Sequence, residues 1–181
     1  VQNLGGIGNV SLFDASASTS PDQPPHILSF DTGPANVLLD LATRLVSDGR
    51  DSFDRNGRRA AAGNVDTTRL NHWLRHPYFR KAPPKSTGRE RFGEPFLRGI
   101  LSDWPEAMRD DGIHLLATLT EFTARSIAEN YRRHLPSPPP GVPARVILAG
   151  GGAANPHLVR RIRAALSPIL PTRSMGTSED F

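Results

Sequence analysis

The chain has 181 residues, 37% of them hydrophobic, which is enough to bury a core and too apolar for compositional disorder. Lys and Arg number 22 against 18 Asp and Glu, a modest excess without the dense basic stripe that a nucleic-acid partner requires. Cysteine is absent, which excludes disulfides and allows a reducing compartment, and no apolar run reaches the length of a membrane span.

Residues 1–4 read as a strand and 10–13 as a second, joined by a tight turn at Gly5-Gly6-Ile7-Gly8. Residues 14–25 are small, polar and Pro-containing, the composition of a surface loop. A third short strand is predicted over 27–30, ending beside Asp31. Pro34 then suits the first position of a helix, with Thr32 or Gly33 near its cap. Val37, Leu38, Leu41 and Leu45 carry that helix to about Ser47.

Residues 48–63 are charged and turn-rich, with a turn candidate at Asp54-Arg55-Asn56-Gly57. A helix over 66–76 places Leu70, Trp73 and Leu74 on one side, and Pro77 ends it. Residues 81–91 form a basic loop, and 94–102 a short helix. The strongest helical pattern covers 112–134, with an apolar stripe from Ile113 to Tyr131 that Leu115, Leu119 and Phe122 widen. This helix is therefore expected to be covered on more than one side. A semi-rigid Pro-rich connector follows at 136–143. Residues 145–149 then read as a buried strand of the parallel-sheet type. Asn155 can cap the next helix and Pro156 can start it, with Leu158, Ile162 and Leu166 facing inward. Strands, then helices, then strand–turn–helix indicate an α/β fold. The sequence opens without methionine and closes on Ser178-Glu179-Asp180-Phe181, which reads as a helix start. It is thus expected to be an internal piece of a longer protein, forming a single partial domain over 1–181.

Four stretches carry candidate chemistry. In Asn3-Leu4-Gly5-Gly6-Ile7-Gly8-Asn9 the bare backbone N–H groups of the glycines could approach phosphate oxygens, although an ordinary glycine hairpin has the same sequence. Gly150-Gly151-Gly152-Ala153-Ala154-Asn155-Pro156 lies between a buried strand and a helix, where α/β sheets bind nucleotides. It matches neither GxGxxG nor a Walker A sequence, and a tight turn explains it equally well. Asp31 could act as a general base, or simply cap a helix. Lys85, Ser86, Thr87 and Arg89 could hold an anionic or hydroxylated ligand, or form a solvated basic loop screened by Glu90. The six histidines show no metal-ligand spacing, so no protein metal site is expected.

Together and in this order, these stretches resemble the anhydro-N-acetylmuramic acid kinases of the sugar kinase/Hsp70/actin superfamily. The matching residues are Asn3 to Asn9, Phe30-Asp31-Thr32-Gly33-Pro34-Ala35-Asn36, Pro84-Lys85-Ser86-Thr87-Gly88-Arg89-Glu90 and Gly150 to Pro156. The helix around 118–127 and Met175-Gly176-Thr177 are also similar. The resemblance implies an actin-like, ribonuclease H-like ATPase lobe, a mixed sheet with flanking helices, incomplete in this chain.

The resemblance further implies ATP-dependent phosphorylation of 1,6-anhydro-N-acetylmuramic acid with hydrolytic opening of the anhydro bridge. The product would be N-acetylmuramic acid 6-phosphate, made in cytoplasmic recycling of cell-wall peptidoglycan. Asp31 matches the family's catalytic aspartate. Gly5, Gly6 and Asn9 would contact ATP with Gly150, Gly151, Gly152 and Asn155. Asn3, Gly33, Asn36, Lys85, Ser86, Thr87 and Arg89 would lie near the sugar. ATP and Mg²⁺ are the implied cofactors, the anhydro amino sugar is the implied partner, and a homodimer is allowed. The family usually has Gly where Ala35 stands and Ala where Gly8 stands. Its first phosphate loop would lie upstream of Val1 and a glutamate-containing helix beyond Phe181, so residues 1–181 alone are expected not to turn over ATP. Rival readings are another sugar or acetate-type kinase of the superfamily and a non-catalytic nucleotide-binding module.

Overall fold

Alternating buried and half-buried residues open the chain as three antiparallel strands: β1 (Gln2–Leu4), β2 (Ile7–Asp14) and β3 (His26–Pro34). The structure, a computed structural model, describes residues 1–14, 26–136, 145–170 and 175–177. β4 (Val146–Ala149) pairs parallel with β1, and β5 (Met175–Thr177) pairs parallel with β4. The strand order is β3-β2-β1-β4-β5. A meander continued by parallel strands is a mixed sheet, as expected for an actin-like, ribonuclease H-like lobe. β5 is a strand that the sequence pattern leaves unassigned.

Seven α-helices accompany the sheet among the described residues: α1 (Asn36–Val46), α2 (Arg58–Ala62), α3 (Thr67–Leu74), α4 (Arg89–Phe92), α5 (Glu94–Asp103), α6 (Ile113–His134) and α7 (Pro156–Leu166). The second half of α6 and α7 cover one face of the sheet. There Leu4, Val10, Phe30 and Leu148 meet Ile127, Tyr131, Leu158 and Ile162. The first half of α6 enters a separate, largely helical core built from Leu38, Leu70, Trp73, Phe79, Phe92, Leu97 and Phe122. Because it serves both cores, α6 is buried nearly all round, the coverage its widened apolar stripe predicts. Truncating one of its fully buried leucines to Ala would cost about 2–5 kcal/mol. No helix among the described residues is long and apolar enough to cross a membrane.

Several boundaries differ from the sequence expectation. Ile7 and Gly8 already belong to β2, so the first turn is only Gly5-Gly6. β3 runs through Asp31 to Pro34, so Asp31 lies within a strand, and neither Thr32 nor Gly33 caps a helix. Pro34 does not start α1; Ala35 is the capping position, outside the helix. The cause is tertiary. The N–H groups of Ala35 and Val37 donate to the Gly6 carbonyl, and that of Asn36 donates to Gly5. The β1–β2 turn thus satisfies the helix terminus that a side chain would otherwise cap. Residues 48–63 contain α2, and the basic loop ends at Arg89, where α4 begins. Nearly all of the predicted loop at 14–25, all of the connector at 136–143 beyond Pro136, and the helix start at 178–181 lie outside the described residues.

Candidate active site

Strand register assembles the site. Asn3 pairs with Ala149 on one side and Asn9 on the other, and Asn9 pairs with Asp31. Residues opposite one another share a sheet face, so Asp31, Asn9 and Asn3 form a row leading to Ala149 and the glycines after it. All three are half-buried, whereas Gln2, Leu4, Val10 and Phe30, one step along each strand, are buried. A register shift at Gly8/Asn9 makes the alignment: Gly8 opposes Gly33 and Asn9 opposes Asp31, with Thr32 the extra residue between.

Asp31 is held from several directions. Its N–H donates to the Lys85 carbonyl (3.2 Å), and its own carbonyl accepts the Tyr78 hydroxyl (2.6 Å). Its carboxylate Oδ2 accepts the Thr87 N–H at 2.9 Å. A carboxylate anchored on one oxygen by a backbone donor presents the other in a fixed direction. Residues 85–87 therefore do lie beside Asp31, by their backbone. Their side chains diverge. Ser86 and Arg89 are exposed and Thr87 is half-buried, with its Oγ1 accepting from Arg91. Lys85 is buried, with Nζ 4.9 Å from the centre of the Tyr78 ring and 5.5 Å from that of Phe30. The solvated-loop reading therefore fails at Lys85.

The two Gly-rich turns meet. Gly150, at φ +82°, packs so tightly that a Cβ there would collide with Asn3 Oδ1 and come within 3.2 Å of the Gly5 nitrogen. A Cβ on Gly152 would stand 2.7 Å from Leu4 Cβ and 3.0 Å from Asn36 Nδ2. Gly151, in contrast, is exposed with nothing within 4 Å of an added Cβ. An added Cβ on Gly6 would lie 3.7 Å from the Arg89 guanidinium, the nearest atom to it. The charge of Arg89 also reaches Asp40 of α1: burial raises the Asp40 carboxyl, while Arg44 and Arg89 partly offset that rise.

Other expected site residues have structural work of their own. Asn155 Oδ1 caps α7 by accepting from the His157 and Leu158 N–H groups, both at 3.1 Å. Asn36 Nδ2 donates to the Leu4 carbonyl at 2.8 Å, tying α1 to β1. Gly33, at φ +122°, is buried, and a Cβ there would stand 2.8 Å from Phe79 Cε1. It contributes close backbone passage rather than a reactive group.

Sequence reasoning missed the supports of β3. Asn130 Nδ2 donates to the Thr32 carbonyl (2.9 Å), Thr123 Oγ1 donates to the Ala35 carbonyl (3.1 Å), and Ser126 sits against Gly33. These three polar residues recur at helical spacing on the otherwise apolar α6, a signal that was available. Tyr78 carried no such signal, because its partner is a backbone carbonyl 47 positions away.

The family model for anhydro-N-acetylmuramic acid kinase matches residues 1–181. The chain belongs to the anhydro-N-acetylmuramic acid kinase family. Proteins named anhydro-N-acetylmuramic acid kinase from Synechococcus elongatus and from a Cyanothece species are each 43% identical to it. One from a Synechocystis species is 42% identical. These alignments cover 99–100% of this chain but only 45–46% of each relative, so the chain spans a little under half their length. An added Cβ on Gly8 would lie 2.8 Å from Thr32 Oγ1, 3.3 Å from Gln2 Nε2 and 3.6 Å from Ala35 Cβ.

The chemistry of the paired turns is compatible with the phosphate oxygens of a nucleoside triphosphate. The exposed Gly151 and the half-buried Gly5 and Gly6 offer backbone unobstructed by any Cβ, with the Arg89 cation beside Gly6. Among the described residues no group of three His, Asp or Glu side chains could hold a metal ion.

Proposed function

We propose that the protein carrying residues 1–181 transfers the γ-phosphoryl group of ATP to 1,6-anhydro-N-acetylmuramic acid while water opens the anhydro bridge. The product is N-acetylmuramic acid 6-phosphate, and the setting is recycling of cell-wall material in the cytoplasm. The observation that carries this reading is the cross-sheet row, which runs from a fixed carboxylate at Asp31 to a glycine cradle at Gly150.

In this reading Asp31, held at Oδ2 by Thr87, takes a proton at Oδ1 from the water that attacks the anomeric carbon. The bond from the anomeric carbon to O6 breaks, and O6 attacks the γ-phosphorus as ADP leaves. The Gly5-Gly6 turn holds the phosphates, and residues 150–152 hold the adenosine side. Arg89, beside Gly6, stabilises negative charge on the transferring group. Mg²⁺, carried on the nucleotide, would neutralise phosphate charge.

Replacing Asp31 by Asn tests the assignment. The variant should bind ATP and sugar normally by calorimetry yet turn over at least ~10³-fold more slowly, because only proton abstraction is lost. Turnover like that of the wild type would falsify the base role.

A further inference from the structure

Lys85 is 9% exposed, and its ammonium makes contacts that no ligand is needed to explain. Nζ lies over the rings of Tyr78 and Phe30 and 3.4 Å from His134 Nε2. Both rings belong to residues that fix Asp31. Phe30 precedes it in β3, and Tyr78 donates to its carbonyl. The Lys85 carbonyl accepts the Asp31 N–H, and Thr87, two residues on, donates to the Asp31 carboxylate. The segment that orients Asp31 is therefore fastened at its first residue by a cation held on two aromatic faces.

We propose that Lys85 is a positioning residue, whose buried ammonium latches residues 85–87 onto the edge of β3 and thereby aims the Asp31 carboxylate. The part of this proposal that concerns turnover rests on the kinase reading above; the part that concerns geometry does not.

The latch depends on charge. Burial pushes the Lys85 ammonium down to about 8, and the nearby Arg133 acts in the same direction. Burial first, then Lys85 and Arg133, also lower His134, while a ring hydrogen bond to the Phe79 backbone and the Glu129 charge partly oppose that lowering; in the tautomer protonated at Nδ1, its Nε2 accepts from Nζ. From the other side the cluster is faced by the Tyr78 phenol, kept protonated by burial and by Asp31, and by Arg91 over the same ring. The ammonium is thus charged at pH 7 and lost as pH rises through about 8, and with it the attraction to both rings.

The test follows the Thr87 amide resonance in the protein carrying residues 1–181, with no substrate present. In the wild type this resonance should move near pH 8 as the latch opens. Lys85→Met keeps the aliphatic stem; it should abolish this movement and shift the resonance at pH 7 toward its position in Asp31→Asn, where the acceptor charge is gone. Lys85→Arg keeps a permanent cation and should restore the wild-type position at pH 7 without the movement near pH 8. In turnover, Lys85→Met should lower kcat about tenfold with KM within about twofold, and Lys85→Arg should recover kcat and lose the alkaline decline. A wild-type Thr87 resonance unmoved near pH 8 overturns the proposal even if Lys85→Met does not fold. So does a Thr87 resonance at its wild-type position at pH 7 in folded Lys85→Met. Absence of sugar-dependent turnover with the resonance behaving as expected would refute the kinase reading and leave the latch standing.

Discussion

Thr87 and Asp31 are 56 positions apart in sequence and joined by a 2.9 Å hydrogen bond from the Thr87 backbone N–H to Oδ2. The donor is main chain, so the side chain at 87 is separable from it. Thr87→Ala keeps the donor, whereas Thr87→Pro deletes it. Loss of aim by the carboxylate should cost about 10²-fold in kcat for the proline variant and far less for alanine. Steady-state kinetics of the two, alongside thermal melts to confirm folding, checks this. Equal losses would place the effect in the side chain.

Adjacent glycines in one turn should respond differently to the same methyl group. Gly150→Ala meets the Asn3 side chain at a positive φ and should destabilise the fold, by about 1–3 kcal/mol. Gly151→Ala meets nothing within 4 Å and should melt like the wild type. If the nucleotide rests on this turn, Gly151→Ala should nevertheless weaken ATP binding by about tenfold or more, since its methyl intrudes on the ligand. Calorimetric titration with ATP separates the two effects, and unaltered affinity in Gly151→Ala would move the nucleotide elsewhere.

Glu121 gives a prediction in acid. It is buried on α6 and bonded to Arg125 at 2.8 Å and to Arg161 of α7 at 2.7 Å. Burial alone would raise its carboxyl, but the bonds to Arg161 and Arg125 outweigh it and hold the group below its usual range. A depressed carboxyl contributes stability that is present above its unfolded value, near ~4.3, and lost as pH falls through the lower folded value. Glu121→Gln should therefore cost roughly 1–3 kcal/mol at pH 7, less than a fully buried pair because both arginines reach solvent, and little at low pH. Urea unfolding at pH 7 and near pH 3 measures the difference. A penalty that persists unchanged in acid would show that shape rather than charge is at stake.

Much of the frame was legible because local pattern and tertiary demand agreed. The wide apolar stripe of α6 announced a helix covered from two sides, and Asn155-Pro156 marked the start of α7. Asp31 was legible as a residue type in a motif but misplaced in the fold. Its strand reads in the sequence as ending early, because glycine and proline signal a break. The break is postponed because the Gly5 and Gly6 carbonyls, remote in sequence, cap α1 at residues 35–37. Lys85 shows the opposite failure. A lysine in a basic loop reads as solvated, and only the rings of Phe30 and Tyr78, brought from two other segments, make burial tolerable there.

Among the described residues β3 is the outermost strand on its side of the sheet, where unpaired N–H and C=O groups are a template for joining another chain. At Asp31 both outward-facing groups are already engaged, one by the Lys85 carbonyl and the other by the Tyr78 hydroxyl. The segment that orients the carboxylate therefore also closes the sheet border. In the kinase reading, loosening it should expose a sticky strand along with a misaimed base, so variants that lose turnover here should also tend to self-associate.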